Sequence, residues 1–466
     1  MKTRFAPSPT GYIHLGNVRT ALFNYLLAQS VDQGHFLLRI EDTDATRSSE
    51  ALSKQLQEDL LWLGLAWDEG PGHEGGRGPY QQSQRSAIYA KYYQQLLDSG
   101  QAYRCFCSDQ TLVLMRKRQL SQGKPPRYTG VCRHLSAEQI AEKDKQGQAS
   151  TLRFRVPSHQ TICFTDLVKG EQSFLSNEIG DFILQRSDGT AAFFFCNAID
   201  DALMGVSHVL RGEDHLTNTP RQIMILNALG LAVPTYGHMS LIVGEANGVP
   251  LSKREGSFSV KALREQGYLP GALQNYLARL GHTYEDPHYM DLQALSRQFS
   301  TKRFGQSAAR YDEAQLLYWQ KQALATLSEV QFAQWLGEAQ IETVPSTKRA
   351  AWIQLLRSNV AFPSEAGVWA NILLTSSLSL NLDTQTTLKK VIPAYWETVL
   401  AELEKGSDFK TMTQTLQNSL NLKGKALFAP LRLALTGRLD GPELAKIYQL
   451  LDPETLRTRI LHAKNL

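Results

Sequence analysis

The segment Arg4-Phe5-Ala6-Pro7-Ser8-Pro9-Thr10-Gly11-Tyr12-Ile13-His14-Leu15-Gly16-Asn17 sets a histidine and a glycine at the mouth of a helix, directly after a short strand. A helix start offers unpaired N–H groups and a partial positive charge; Gly16 lets a ligand approach the backbone, and His14 can donate to a phosphate or ribose oxygen. The chemistry expected there is nucleotide phosphate binding. A second segment, Val249-Pro250-Leu251-Ser252-Lys253-Arg254-Glu255-Gly256, is bracketed by Gly248 and Gly256 and carries adjacent cations able to cover a triphosphate. Lys253 is its expected transition-state stabiliser, because in transfer at phosphorus a protein chiefly positions groups and neutralises developing charge. Alone, the first segment reads equally as a plain helix start, and the second is better read as a solvated loop, a preference that its coupling to the first segment reverses. Together they point to adenylation.

A third constellation has the character of a metal site. Cys105-x-Cys107 and Cys132-x-His134 supply a Cys₃His set for a closed tetrahedral zinc. The competing reading is a pair of small thiol clusters; Cys163 and Cys196 read as isolated core cysteines. Between the two pairs lie Arg116, Lys117, Arg118, Lys124 and Arg127, so a zinc-pinned hairpin there would present cations to RNA.

The elements needed to carry these groups follow from periodicity. Thr3 to Ala6 reads as a strand, and Val18, Ala21, Leu22, Tyr25 and Leu26 form a helical stripe. Phe36 to Ile40 is a second strand ending in Glu41, Asp42 and Asp44; Leu52, Leu56, Leu60 and Leu63 mark the next helix. The β-α-β-α order predicts a parallel sheet. After the Gly/Pro-rich break Gly70 to Pro79, residues from about Ser83 to Phe182 read as an inserted module holding the clustered cysteines. Phe193 to Phe195 and Val206 to Leu210 are strand candidates, and Thr219-Pro220 opens a helix that Gly230 closes. Beyond about Gln315 the pattern is helical, as in Tyr318 to Leu327, Lys348 to Leu356 and Pro442 to Leu451.

Composition bounds the answer. At 466 residues the chain calls for several cores. No apolar run approaches the ~20 residues of a membrane helix, and the N-terminus lacks a signal-peptide core, so a cytoplasmic protein without a membrane role is expected. A formal charge of +4 decides nothing about nucleic acid. An odd count of five cysteines excludes a disulfide scaffold.

His14-Leu15-Gly16-Asn17 resembles the HIGH signature of class I aminoacyl-tRNA synthetases, and Leu251-Ser252-Lys253-Arg254 resembles their KMSKS signature. Arg4 to Gly11, Ile40 to Asp44, Asp200-Asp201, Leu210 to His215, Asn218 to Gln222 and Pro430 to Gly437 are similar, in order and spacing, to bacterial glutamyl-tRNA synthetases over nearly the whole chain. The resemblance implies an α/β fold: a split Rossmann-like, doubly wound catalytic domain with an inserted acceptor-binding module, and an all-α C-terminal anticodon-binding region. The boundaries expected are 1–82 and 193–245 for the catalytic halves, 83–192 for the insertion with its zinc site, 246–320 for a stem-contact region with the KMSKS-like loop, and 321–466 for the helical region.

Carried over residue by residue, the resemblance implies an amino-acid pocket of Arg4, Ala6, Ser8, Glu41, Phe193, Asn197 and Arg211. It further implies ATP contacts from His14, Gly16, Glu213 and Lys253, with His14 and Lys253 catalytic. Arg211 would face the substrate's side-chain carboxylate; a guanidinium pairs bidentately with a carboxylate, and glutamine's neutral amide would sacrifice roughly 3–5 kcal/mol. Glu41 would accept the α-ammonium. Two departures stand out: Phe193 occupies a position where the family commonly has tyrosine, and Pro250 replaces the first lysine of the mobile loop. Losing the hydroxyl removes a hydrogen bond of about 1 kcal/mol.

The implied reaction is ATP- and Mg2+-dependent activation of L-glutamate and its transfer to the terminal adenosine of tRNA-Glu by a monomeric enzyme, with structural Zn2+ in the insertion. Asn359 falls where discriminating members place an arginine that reads the third anticodon base. This substitution predicts relaxed choice between tRNA-Glu and tRNA-Gln, or preference for tRNA-Gln; Arg357 nearby is the competing reader. A glutamyl-queuosine enzyme would end near residue 300, and a glutaminyl enzyme would continue into β-barrels. A small-molecule nucleotidyltransferase would have no use for the helical third, and a non-catalytic RNA-binding paralogue would have lost His14, Glu41, Arg211 and Lys253.

Overall fold

The computed structural model describes residues 1–44, 46 and 48–244 and continues from 259 to 466. The Lys253 segment, Pro250 included, therefore lies outside the described residues. Two compact units divide the chain, one comprising Met1–Leu263 with Leu273–Leu316 and the other Arg264–Ala272 with Leu317–Leu466.

In the first unit, strands Lys2–Phe5 and His35–Leu38 pair in parallel around the helix Leu15–Gln29. Strands His208–Gly212 and Thr235–Met239 form a second parallel pair around the helix Thr219–Ala228. Parallel pairing demands a crossover, and an apolar helix supplies one in both cases. The two halves meet where the Ser207 N–H donates to the Lys2 carbonyl at 2.9 Å. Asn24, buried within the first helix, joins them further: its side chain donates to the Leu210 carbonyl at 2.8 Å and accepts from the Leu210 N–H at 3.2 Å. A helix side chain thus serves Leu210 as a neighbouring strand would.

Phe193 to Phe195, expected as a strand, instead opens the α-helix Phe193–Leu203. Phe195, Ala198 and Ile199 fall three and four residues apart on a buried face, and a short apolar run looks the same in either conformation until its partners are known. The strand expected at Val206 to Leu210 runs His208–Gly212.

Between the halves, strands Ala102–Cys105, Thr151–Phe154 and Ile183–Gln185 make an antiparallel sheet. The hairpin Thr161–Asp166 with Gly170–Leu175 extends from the same region, and the Leu167 N–H donates to the Tyr236 carbonyl at 2.8 Å. The second unit is helical, with no strand among its described residues, around a core that includes Trp352, Trp396, Phe332 and Met412. Among the described residues no helix is long and apolar enough to cross a membrane.

Candidate active site

A cavity of about 380 Å³ opens at the carboxyl ends of the parallel strands. Its lining includes Arg4, Ala6, Ser8, Glu41, Phe193, Asn197 and Arg211, the complete expected amino-acid set, together with His14 and Gly16. Ligand crevices of open α/β sheets lie at this end of the strands.

At one end, His14 caps the helix Leu15–Gln29: its Nδ1 accepts the Gly16 N–H at 3.2 Å. A Cβ on residue 16 would sit 3.1 Å from the His14 ring, so glycine keeps this corner open. His14 also bridges to Ser259, and Leu241 and Ile242 line the cavity. Described residues shortly before the Lys253 segment thus line the cavity and the first one after it contacts His14; Lys253 itself lies outside the described residues.

At the other end, charge is arranged in two opposed groups. Glu41 is buried; Asn197 Nδ2 donates to its Oε1 at 2.6 Å and Arg39 Nη2 donates at 3.2 Å. Burial raises the Glu41 carboxyl above its ordinary range, against the pull of Arg39 and the Asn197 amide. Beneath it, Arg39 Nη1 donates to Asp201 at 2.7 Å, and Arg4 reaches both Asp201 oxygens at 3.3 Å. Burial alone would lower Arg39, but Asp201, Glu41 and Asp200 together hold it above its usual value. Asp200 accepts from Arg85 at 2.7 Å, Gln82 at 2.8 Å and Tyr89 at 2.7 Å. Arg39 carries no motif of its own; the sequence signals of this network were Arg4, Glu41 and the Asp200-Asp201 pair.

Arg211 forms the opposing group. Its Nε donates to His238 Nε2 at 3.1 Å, and its Nη2 donates to Thr219 and Gln222, both at 2.7 Å. Its Nη1 is buried and, among the described residues, has no hydrogen-bond partner. Burial lowers the guanidinium to about 10, which leaves it a cation at neutral pH. Gln222 Nε2 in turn donates to Asn197 Oδ1 at 2.7 Å, so Arg211 and Glu41 are linked through two amides. His215 also lines the cavity beside Phe193, their rings 5.2 Å apart; burial first, then Arg211, lowers it to about 4.

Glu213 is placed differently from the others. It pairs with Lys169 at 2.6 Å and accepts the Leu241 N–H at 3.2 Å, and it does not line the cavity. Asn359, in the helical unit, donates its side-chain amide to the Leu355 carbonyl at 2.7 Å. The Arg357 guanidinium donates to the Leu327 carbonyl.

Of the expected metal set, the three thiols converge and the histidine does not. The sulfurs of Cys105, Cys107 and Cys132 lie within 4.8 Å of one another, whereas His134 is exposed and outside the group. The turn at Cys132 buries the cysteine and turns the residue two positions on toward solvent. Tyr128 stands in its stead, with its hydroxyl 3.3 Å from Cys105 Sγ, 3.5 Å from Cys107 Sγ and 3.0 Å from the Cys132 nitrogen. Burial would raise the Cys105 thiol, yet the Tyr128 hydroxyl, the Cys107 N–H and Arg153 hold it at about 7. Three clustered sulfurs with one readily ionised fit a thiophilic cation.

Residues 1–318 match the family model for the catalytic domain of class I tRNA synthetases (E and Q), and residues 308–464 match the model for an anticodon binding domain. The chain is 52% identical over 464 residues to glutamate–tRNA ligase 2 of Coxiella burnetii, covering 99% of both. It is 51% identical to glutamate–tRNA ligase 2 of Alkalilimnicola ehrlichii, covering 100% of this chain and 98% of that one. Its fold superposes with a TM-score of 0.88 on the crystal structure of a glutamate tRNA ligase from Elizabethkingia meningosepticum in complex with its amino acid, at 28% identity over 100% of this chain and 99% of that one.

Proposed function

This chain belongs to the class I tRNA synthetases of the glutamate and glutamine branch, and we propose that it is a glutamate–tRNA ligase that activates L-glutamate with ATP and transfers it to the terminal adenosine of tRNA. One observation carries the reading of the amino acid: Arg211 is a buried cation whose Nη1 has no partner among the described residues, on the same cavity as the buried carboxylate of Glu41. A buried guanidinium donor without an acceptor calls for an anion, and a buried carboxylate calls for a cation. An amino acid with a carboxylate side chain satisfies both: its γ-carboxylate meets Arg211 and its α-ammonium meets Glu41. Arg4, Ala6, Ser8, Phe193 and Asn197 enclose it.

The α-carboxylate then attacks the α-phosphorus of ATP and pyrophosphate leaves. His14, Gly16 and the helix N-terminus take the phosphates, with Mg2+ accompanying ATP, and Lys253 neutralises charge as it develops. The pairing of Glu213 with Lys169 argues for an indirect part in ATP binding. The 2′-hydroxyl of the terminal adenosine next attacks the adenylate carbonyl and AMP departs. The insertion, over residues 83–192, takes the acceptor end, and the helices from 321 onward take the anticodon, where unstacked bases are open to stacking and hydrogen bonding. Zn2+ held by Cys105, Cys107, Cys132 and the Tyr128 oxygen would brace the insertion. The enzyme works as a monomer in the cytoplasm.

The test is ATP-dependent transfer of labelled glutamate to purified tRNA-Glu and tRNA-Gln in parallel. Charging of tRNA-Glu is expected; charging of neither would reject the function. Charging of tRNA-Gln as well is the second reading, favoured by Asn359, whose amide is engaged by Leu355 and which brings no charge to an anticodon base. Charging of tRNA-Glu alone would reject it.

A further inference from the structure

We infer that Asp166 and His238 are positioning residues for the amino-acid pocket: Asp166 fixes His238 in the tautomer with a bare Nε2, and that nitrogen orients Arg211. The inference rests on the reading of Arg211 as the carboxylate-binding group. Both residues are fully enclosed, Asp166 at 3% and His238 at 0% exposure. Neither lines the cavity.

The proton positions follow from donor chemistry. Arg211 has only donors, so the 3.1 Å contact from its Nε requires His238 Nε2 to accept. The Thr219 hydroxyl, 2.9 Å from the same nitrogen, can donate there too. The imidazole proton must then sit on Nδ1, which lies 2.5 Å from Asp166 Oδ2. The other oxygen, Asp166 Oδ1, accepts the backbone N–H groups of Val168, Lys169 and His238 at 2.9, 2.8 and 3.1 Å. Four donors converge on this carboxylate and keep it ionised, while burial, foremost, keeps His238 neutral.

Two consequences distinguish this pair from ordinary packing. With Nε held by His238 and Nη2 by Thr219 and Gln222, Arg211 has only Nη1 left to offer, so the pair decides which edge of the guanidinium meets the substrate. The pair also crosses between modules: Asp166 ends a strand of the inserted hairpin, and His238 lies on a strand of the catalytic sheet. The amino-acid pocket is therefore framed in part by the insertion proposed to grip the tRNA acceptor end.

The experiment uses the full chain in the aminoacylation assay and compares KM for glutamate with KM for ATP and with kcat. His238→Leu removes the acceptor. Asp166→Asn is subtler: three backbone donors force the new amide oxygen into the Oδ1 place, so its NH₂ faces His238 and drives the imidazole into the opposite tautomer, N–H against N–H at Arg211. Each variant should raise KM for glutamate about tenfold or more, as expected for loss of a hydrogen bond to a charged group, with KM for ATP nearly unchanged. His238→Gln, whose carbonyl oxygen can take the Nε2 position, should restore most of the loss. In the wild-type chain, nitrogen NMR of labelled histidine should find the His238 proton on Nδ1, a readout independent of any variant's folding. An unchanged KM for glutamate in folded Asp166→Asn or His238→Leu, no rescue by glutamine, or a proton on Nε2 would overturn the inference. Arg211→Gln separates the two ideas: if it leaves KM for glutamate unchanged, the reading of Arg211 fails; if it raises KM while the other variants do not, only the positioning role fails.

Discussion

Asn197 donates its side-chain amide to Glu41 at 2.6 Å while accepting from Gln222 at 2.7 Å, so one residue joins the acidic and basic ends of the cavity. Burial raises the Glu41 carboxyl, and the bond from Asn197 is among the contacts that hold it down. A protonated Glu41 cannot receive an ammonium group. KM for glutamate should therefore rise as pH falls from neutral toward the raised Glu41 value and stay flat above it. Asn197→Leu should move that rise to higher pH, measurable in pH profiles of kcat/KM for glutamate. The linkage to stability has the opposite sense: a carboxyl raised by burial favours the folded state at low pH and loses that contribution as pH rises through its folded value. The Tm difference between Glu41→Gln and wild type should then shift in favour of the variant across the same window.

Arg39 touches three buried carboxylates and is itself inaccessible to solvent. Removing one partner of such a network leaves buried charge uncompensated. Arg39→Leu should cost about 3–5 kcal/mol, seen as a lowered urea midpoint for the catalytic unit. An unshifted midpoint would mean that water or a rearranged Arg4 takes over.

The metal set can be tested ligand by ligand. Protein purified without chelator should contain stoichiometric zinc, and Cys107→Ser or Cys132→Ser should lose it. His134→Ala should retain it, because that side chain is outside the cluster. Tyr128→Phe should weaken retention by about 10–100-fold in chelator competition.

Lys253→Ala should lower kcat by about a hundredfold while leaving KM for glutamate within about twofold, as expected for a group acting chiefly on the transition state. A rise in KM for ATP without a fall in kcat would assign it to ground-state binding instead.

The cavity's lining was legible because Arg4, Ala6, Ser8, Glu41 and Arg211 sit in motifs similar to a known family, and Asn197 followed only by carrying that resemblance over residue by residue; spacing alone would not have grouped residues some 200 positions apart. What escaped the sequence is what acts through other groups. Arg39, Asp166 and His238 stand in apolar strand-like surroundings, where a lone polar residue gives no hint of its partner until the strands are aligned. Tyr128 was hidden for another reason: Cys-x-His spacing favours the histidine, while the local turn decides which side chain faces the sulfurs. The strand reading at Phe193 fails because a run of three phenylalanines is equally apolar in both periodicities, and the helical spacing emerges only with Ala198 and Ile199 farther along.

The paired bonds between Asn24 and Leu210 have a consequence for reactivity. The helix they anchor begins at the proposed phosphate site, and the residue after Leu210 is Arg211, so both substrates are measured from one frame much as parts are held against a jig. Because productive attack tolerates little error in distance, slack in this frame would appear as fewer successful encounters even with both sites fully loaded. Asn24→Leu should thus be a misalignment variant, one that binds glutamate and ATP yet seldom joins them.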